Sequence, residues 1–550
     1  MDEGAFDIII LGTGLTQSIA AAALAKAGFK VAHIDHNPYY GADEASLSFE
    51  ELIQWQNASA RFSRSGDTIS QPRSYSLSLS PSLIPSTGPL IAALVASGVS
   101  RYGGFRLIER VCVYHSSGTV KPVPGSKEDV FKNKDISLLD KRRLMRFLMF
   151  AASDFEDKKE LEGHTDTPFP DFLKSVFSLN DEMISAIVYA LAYCLSPTDP
   201  TLPALHRLRR YLRSAGRYGA SPFLVGHYGS SGEIAQGFCR TAAVSGAVYI
   251  LGRAIESIST SPSSSASSPP THTLRLADFP DPLTCSLLIS SPSYPCSPSS
   301  ATAVPLPPSP SAPFSAASPT YAVARCIAII DRPLSLGVPA PVAPSDEEPI
   351  PSEDAASPND DASIPDPPPS SPALDAVVLV FPPLLSPVPA PQTPPRPPLS
   401  LAKAPWILYL ALPLVTPTNA DAQTLLKPYL DATLALAGGD ADTPLVPLFS
   451  SYYIQHTTVP PASSEGAEVG EQTGGGNAVA PHLLPSPLPP ILPLPDAGDA
   501  AAVYAERVFS EVVRILRPSN PNPDANAAAE DEEGAPSMWP PIESQEEEED

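Results

Sequence analysis

Phe6-Asp-Ile-Ile-Ile-Leu-Gly-Thr-Gly-Leu-Thr-Gln-Ser-Ile19, continued by Phe29 to Ile34 and Asp35-His-Asn-Pro-Tyr-Tyr-Gly41, is the stretch that decides the fold. Phe6 to Leu11 is an apolar run of strand length, and Gly12-Thr-Gly14 makes a tight turn. Ser18 to Ala27 is an Ala-rich helix, and Phe29 to Ile34 is a second strand ending at the acidic Asp35. This is the order of a dinucleotide-binding βαβ unit, in which G-x-G-x-x-G lets the backbone approach a pyrophosphate at the helix N-terminus. The third glycine position is Gln17 here. Its side chain crowds the place where phosphate would approach the helix. The spacing therefore predicts a retained scaffold without a cofactor. Gly12 and Gly14 then serve the turn alone. Asp35, which holds a ribose in a working site, becomes a cap or turn residue leading into Asn37-Pro38.

The chain has 550 residues, enough for two to four domains and a sizeable core. Its 69 prolines are more than twice the usual share of about 5% and concentrate between about 260 and 400 and again after 459. The folded part is therefore expected to be smaller than the length suggests. A net charge of −25 argues against nucleic acid, which is bound by clustered cations. Part of that charge is local: eleven acidic residues and no Lys or Arg follow Pro521. Cysteines 112, 194, 239, 285, 296 and 326 lie far apart, with no metal spacing. Together with the acidic opening Met-Asp-Glu-Gly, they lead to the expectation of reduced thiols in a cytoplasmic protein. The longest uncharged apolar run, Ala404 to Val415, spans 12 residues and contains two prolines, short of the 18 or so needed to cross a bilayer. Any membrane role is expected to be transient and peripheral.

Hydrophobic periodicity divides the chain into an α/β part and a helical part. Residues 1–118 read as α/β, with a helix over Gly88 to Val99 and a strand over Arg106 to Tyr114. Helices are predicted at Ser137 to Ala152, Phe169 to Phe177, Asp181 to Ala192 (with Asn180 as N-cap) and Pro203 to Ala215. After Gly219 the α/β character returns, with a helix over Glu233 to Val244 and strands over Ala247 to Leu251 and Cys285 to Ser290. Tyr321 to Ile330, Ala373 to Phe381 and Trp406 to Leu414 read as further strands of the same sheet. Ala500 to Leu516 is a closing amphipathic helix. The expected organisation is a discontinuous α/β domain (1–118 and 221–517) with a helical domain (119–220) inserted in it. Pro/Ser-rich insertions at 257–270, 290–319, 339–372 and 460–480, and an acidic tail at 518–550, are expected to be disordered.

Four segments carry a resemblance. They are Ile8-Ile-Leu-Gly-Thr-Gly-Leu-Thr-Gln17 with Asp35 to Gly41; Val99-Ser-Arg-Tyr102; Lys141-Arg-Arg-Leu-Met-Arg-Phe-Leu148; and Gly216-Arg-Tyr-Gly-Ala-Ser-Pro-Phe-Leu224. The last leads into Gly232-Glu-Ile-Ala-Gln-Gly-Phe-Cys-Arg240 and Gly246-Ala-Val-Tyr-Ile-Leu-Gly252. With these the chain resembles the Rab escort protein and Rab GDP-dissociation inhibitor superfamily. The resemblance implies a flavoprotein-like, multi-sheet α/β domain that holds no flavin. It also implies a surface for GDP-form Rab GTPases and a helical domain that accepts a geranylgeranyl chain. Carried over by motif, Rab-binding residues would be Tyr39, Arg101, Tyr102, Glu233, Arg240 and Tyr249. These are residue types that dominate interface hot spots.

Within the superfamily, escort proteins present unprenylated Rab to the Rab geranylgeranyltransferase heterodimer, whereas the inhibitors recycle prenylated Rab from membranes. The length, Phe238-Cys-Arg240 and the acidic tail with Met538-Trp-Pro-Pro541 lean toward the escort role, and the inhibitor role stays open. The basic stretch Leu205-His-Arg-Leu-Arg-Arg-Tyr-Leu-Arg213 is a candidate surface for the transferase. The apolar faces at 144–149, 173–177 and 184–195 read most simply as helical core, and only the resemblance suggests that they admit a lipid. No G-x-S-x-G, H-E-x-x-H or Walker A motif is present, so the expected role is non-catalytic, with no cofactor or metal. The βαβ opening alone would also suit an FAD-dependent oxidoreductase.

Overall fold

The computed structural model describes residues 4–57, 63–66, 69–115, 117–124, 130–131, 133, 136–219, 221–227, 231–261, 271–290, 294, 301–304, 322–334, 336, 375–383, 399–403, 406–414, 418–436, 445–456, 482–485, 494–517 and 537–539. The strand Ala5–Leu11 lies at the centre of a mixed sheet. Val31–Asp35 and then Val248–Leu251 continue it on one side, both parallel to it. Leu283–Ser290, also parallel, flanks the other side and leads to Thr271–Leu276 and Ile255–Ser261. A parallel sheet is covered on both faces, which explains the unbroken apolar run at its centre. Ile8 and Ile10 face the opening helix Leu15–Lys26 and the helices Pro89–Ser97, Ser231–Val244 and Asp496–Leu516. Ile9 and Leu11 alternate to the opposite face, beneath Leu274, Leu276 and Tyr294. Ala20 to Ala23 and Ala25 are all buried, and their small side chains let neighbouring helices approach the opening helix closely.

A second eight-stranded sheet runs Ser63–Ser65, Phe449–His456, Ala322–Ile329, Ile407–Leu414, Leu399–Lys403, Ala376–Val380, Arg110–Tyr114, Val120–Pro122. The late strands, expected to extend the first sheet, therefore belong to this one. Their apolar character fixes that they are buried but does not say in which sheet. The single strand expected over Arg106 to Tyr114 is also two. Phe105–Leu107 joins a small sheet with Ile84–Pro85 and Phe223–Gly226, whereas Arg110–Tyr114 pairs with Ala376–Val380. The change of partner falls at Ile108 and Glu109, whose amides donate to Phe223 O and Ala376 O at 3.0 and 2.9 Å. Because Val120–Pro122 pairs with Arg110–Tyr114, the helical segment begins after it rather than at residue 119.

That segment comprises the helices Leu138–Ala152, Phe169–Phe177, Asp181–Ser185 and Thr201–Ser214. Ser137 and Asn180 cap two of them, accepting from Asp140 N at 3.2 Å and Met183 N at 2.9 Å. The third helix does not stay α-helical to Ala192 as expected. It widens to a π-helix over Ala186–Leu191, with Ala192 N donating to Ile187 O at 2.7 Å. The widening presents Ala192 O and Cys194 Sγ to the buried Arg207, which donates to them at 3.1 and 3.4 Å.

Two expected insertions carry strand structure. Ile255–Ser261 pairs with Thr271–Leu276 as an edge hairpin, and Ala301–Val304 pairs with His482–Pro485. Polar, Ser-rich segments can still ladder onto an existing sheet edge through their backbone. Residues 339–372 and 460–480 lie outside the described residues. In the tail, Met538 and Trp539 are half-buried against the helical layer, so this part of 518–550 is packed rather than disordered.

Candidate functional site

At the Gly12-Thr-Gly14 turn, the N-terminus of the opening helix is already filled. Leu15 N donates to the Glu44 carboxylate at 2.8 Å, where a cofactor phosphate would accept. Burial pushes the Glu44 carboxyl up to about 7, partly offset by the Leu15 amide. Gln17 folds over the same place, its Oε1 lying 2.9 Å from where a Cβ on Gly14 would sit. The fully buried Asp35 is also spoken for. It accepts from Thr13 N and Oγ1 at 2.8 and 2.6 Å, from Asn37 N at 2.9 Å and from Tyr294 OH at 2.9 Å. These residues do not fit a dinucleotide, whose pyrophosphate and ribose would displace a carboxylate and break this set of bonds. Sequence reasoning located the obstruction at Gln17; the larger part is Glu44, 29 residues beyond Leu15.

The helix Ser231–Val244 organises the surface beside this closed turn. A Cβ on Gly232 would lie 2.3 Å from Ser46 N, so glycine lets the helix start against the 41–46 turn. Gly237 packs against Val99, which brings the turn Val99–Arg101 alongside. Glu233 accepts from Gly104 N at 3.3 Å. Arg240 lies 4.6 Å over the ring of Tyr102, which is 58% exposed. Arg101, Tyr102, Glu233 and Arg240 therefore share one patch. Tyr249 enters from the adjacent strand edge, its ring 5.8 Å from Tyr40 and its hydroxyl 3.3 Å from His33 Nδ1. His33 Nε2 lies 2.6 Å from Gly12 O, which can only accept, so Nε2 carries the proton and Tyr249 donates to Nδ1. Burial lowers His33 to about 4 and keeps it neutral. Tyr39 stands apart: it packs against a different core cluster from the one beneath the helix Ser231–Val244, and burial raises its hydroxyl to about 12.

A cleft of about 490 Å³ opens between the helical segment and the second sheet, walled by Val111, Leu148, Met149, Ala190, Leu191, Leu208, Leu212 and Phe223. The face at 173–177 does not line it. Phe177 is instead closed into a cluster with Phe147, Phe150 and Phe172, with ring centroids 5.2, 5.2 and 5.6 Å away. The cations of the stretch Leu205 to Arg213 are engaged within the chain. Arg207 faces Asp199, Arg209 pairs with Glu156, Arg210 with Asp496 and Asp499, and Arg213 with Asp154. The basic character legible in sequence is therefore largely neutralised in the fold.

A family model described as GDP dissociation inhibitor matches residues 1–294. The chain belongs to the GDP dissociation inhibitor family. Among curated relatives it is 35% identical over 259 residues to a Candida albicans "Rab proteins geranylgeranyltransferase component A", covering 44% of this chain and 40% of that protein. It is 33% identical over 283 residues to the Drosophila melanogaster protein of the same name (46% and 54% covered). It is 34% identical over 265 residues to "Rab GDP dissociation inhibitor beta" of Rattus norvegicus (46% and 57%). The chain spans about half the length of the curated relatives it matches. The fold is that of the Rab GDI crystal structure from Plasmodium falciparum, with a TM-score of 0.58 at 18% identity, covering 92% of this chain and 98% of that one.

In this member of the GDP dissociation inhibitor family, sequence reasoning missed Glu44, His33 and Tyr294. Each meets the turn from elsewhere in the chain, and no spacing rule connects them to it. Glu44 yields a direct prediction. The folded protein holds its proton to higher pH than the unfolded chain, so this group makes stability fall as pH rises from about 4.5 to about 7. Glu44→Gln keeps an acceptor for Leu15 N and removes that slope. Urea midpoints of wild type and variant at pH 5 and pH 7.5 read the difference, and parallel profiles would contradict the assignment.

Proposed function

We infer that the chain acts as a Rab escort protein: it binds newly made GDP-form Rab GTPases and presents them to Rab geranylgeranyltransferase. The observation that carries this reading is the convergence of Arg101, Tyr102, Glu233 and Arg240 on one exposed patch of the helix Ser231–Val244, with Tyr249 next to it. An exposed aromatic ring under a guanidinium supplies rigid contact area and a charge-assisted donor, the chemistry of interface hot spots. The reading assigns this patch to the α/β body formed by 1–122 and 221–517, and lipid handling to the helical part. The cleft beside Leu148 and Leu191 has the volume of an ordinary ligand site and apolar walls. Each methylene buried there contributes about 0.8 kcal/mol, so part of a geranylgeranyl chain is enough for micromolar binding. Catalysis is assigned to the transferase, with this chain as a non-catalytic accessory. Among the described residues no helix is long and apolar enough to cross a membrane, so delivery of the prenylated product is assigned to transient surface contact.

The recycling inhibitor is the second reading, favoured by the similarity to the rat inhibitor. A reconstitution separates the two. The chain is added to transferase, Rab-GDP and geranylgeranyl diphosphate, and prenyl transfer is monitored. Transfer that depends on the chain supports the escort role. Transfer that proceeds without it, while prenylated Rab is still extracted from vesicles, supports the inhibitor role.

The cleft has its own test. Met149→Glu with Leu212→Glu places charge on the apolar wall at positions that are not fully buried. The expected result is a loss of about 10–100-fold in affinity for prenylated Rab and none for unprenylated Rab-GDP. Equal losses for both would place the lipid elsewhere.

A further inference from the structure

We propose that the outward face of the helix Leu138–Ala152 is a docking surface that lays the chain on an anionic lipid bilayer. This deepens the delivery step assigned above, and rests on that reading only for the cargo delivered. The helix buries Leu144, Phe147, Phe150 and Ala151 in the core of the helical segment, as an amphipathic helix should. Its opposite side is not simply polar. Leu138 is 78% exposed and Met149 62%, and Leu139 is exposed beside them. Leu138 and Met149 stand eleven residues apart, close to three full turns, so they share one side of the helix. Arg142 and Arg146, both exposed, follow Leu138 at steps of four and interleave with these apolar side chains. Phe131, also exposed, lies at the same end, its carbonyl accepting from Lys141 Nζ at 2.8 Å. A face that mixes bare Leu, Met and Phe side chains with arginines has the chemistry of a helix lying in a membrane interface.

Charge says which surface covers it. The helix carries four cations, Lys141, Arg142, Arg143 and Arg146, against the single carboxylate of Asp140. Asp140 is engaged by Ser137 Oγ at 2.8 Å and faces Arg143 at 3.5 Å. Arg146 lies 3.7 Å from Glu160, and no ion pair engages Arg142 among the described residues. The chain as a whole carries −25, so an anionic bilayer repels most of its surface. Screening confines that repulsion to about 8 Å at physiological ionic strength, and the charges nearest the bilayer then set the orientation. Each cation brought to such a surface strengthens binding by about fivefold. An exposure as high as that of Leu138 means that the side chain projects from its surroundings, which suits insertion among headgroups. The face is also continuous with the apolar cleft, because Met149 lies on it and walls the cleft together with Leu148 and Ala152. Docking by this helix sets the rim of the cleft against the bilayer. A lipid leaving past Met149 then enters the membrane without crossing water.

The test floats the full-length chain, with no GTPase present, on vesicles of phosphatidylcholine alone or with about a third phosphatidylserine. Wild type should prefer the anionic vesicles by about 10-fold, and the preference should shrink at about 0.5 M salt. Leu138→Ser with Leu139→Ser should lower that affinity about 10-fold, and Arg142→Gln about fivefold. Thermal unfolding of these variants should match wild type, since the side chains are exposed. A wild type that ignores anionic vesicles, or variants that bind them equally well, overturns the proposal. Variants that keep vesicle binding but lose affinity for the transferase heterodimer would make the face a protein-docking surface instead. In a separate arm, prenylated Rab carried by the Leu138 and Leu139 double variant should pass to anionic vesicles about 10-fold more slowly, its affinity for the chain unchanged. A fall in that affinity would assign the face to the lipid site and overturn its docking role. If no Rab binds the chain, the escort reading fails, while the vesicle arm still reads the face.

Discussion

Arg210→Ala is expected to lower the stability of the protein by about 3–5 kcal/mol, the cost of leaving buried carboxylates without their cation. Arg210 projects from the helix Thr201–Ser214 to Asp496 and, at 3.2 Å, to Asp499 at the start of the closing helix; both carboxylates are almost fully buried. Tyr211 OH donates to Asp496 at 2.8 Å. Asp499 also accepts from Leu90 N at 2.9 Å, so it caps the helix Pro89–Ser97 from more than 400 residues away in sequence. Gly88 makes this possible: a Cβ there, at φ +154°, would sit 2.5 Å from the carboxylate. Burial already raises Asp499 to about 6 against the pull of Arg210. Without the guanidinium Asp499 holds its proton to still higher pH, so the loss should deepen as pH rises from 5 toward 8. Arg210→Lys should recover only part of it, since the two-pronged contact needs the guanidinium fork. Urea unfolding at several pH values is the measurement. A loss below 1 kcal/mol at pH 8 would mean that the network is not what joins these three helices.

The combined change Tyr102→Ala and Arg240→Ala should weaken binding of GDP-loaded Rab by about 30-fold or more, corresponding to about 2 kcal/mol for a stacked aromatic and arginine pair at an interface. Both side chains are exposed, and among the described residues neither donates a hydrogen bond to the core, so stability should change by less than about 1 kcal/mol. Arg240→Lys should fall between wild type and the double variant, because an ammonium keeps the charge but not the flat stacking face. Tyr39→Ala should behave differently. Tyr39 packs against the larger core cluster, so its loss should appear in stability as well as in binding. Isothermal titration beside thermal unfolding separates the two classes.

The opening unit is legible because its apolar run, its glycine turn and its Ala-rich helix are all local signals. The helices of the inserted segment are legible for the same reason, from the Ser137 and Asn180 caps and a 3.6-residue period. Partner choice is what sequence could not supply. The strand over Arg106 to Tyr114 reads as one alternating run, yet its two halves ladder in different sheets. Ala322–Ile329 and Ile407–Leu414 are as apolar as Ala5–Leu11, and nothing in their composition says which sheet they enter. The helix Ala422–Leu434 goes unrecognised in sequence: it contains Pro428, which argues against a helix interior, and it is held by packing against the second sheet. The same limit applies at the site. Gln17 is visible because it breaks a fingerprint, whereas Glu44, which occupies the phosphate position, belongs to no motif. The arginines of Leu205 to Arg213 look like a free basic surface in sequence because their acidic partners lie on other elements.

In the proposed function, a closed coenzyme turn carries, on the helix beside it, a grip for a small GTPase. The most direct measurement is a titration of the full-length chain with a panel of Rab GTPases, each loaded in turn with GDP and with a non-hydrolysable GTP analogue. A Rab escort protein should show micromolar or tighter binding to GDP-loaded members, at least tenfold weaker binding to the GTP-like form, and loss of the difference in the Tyr102 and Arg240 double variant. Equal affinity for the two nucleotide states, or no binding to any member of the panel, would contradict it.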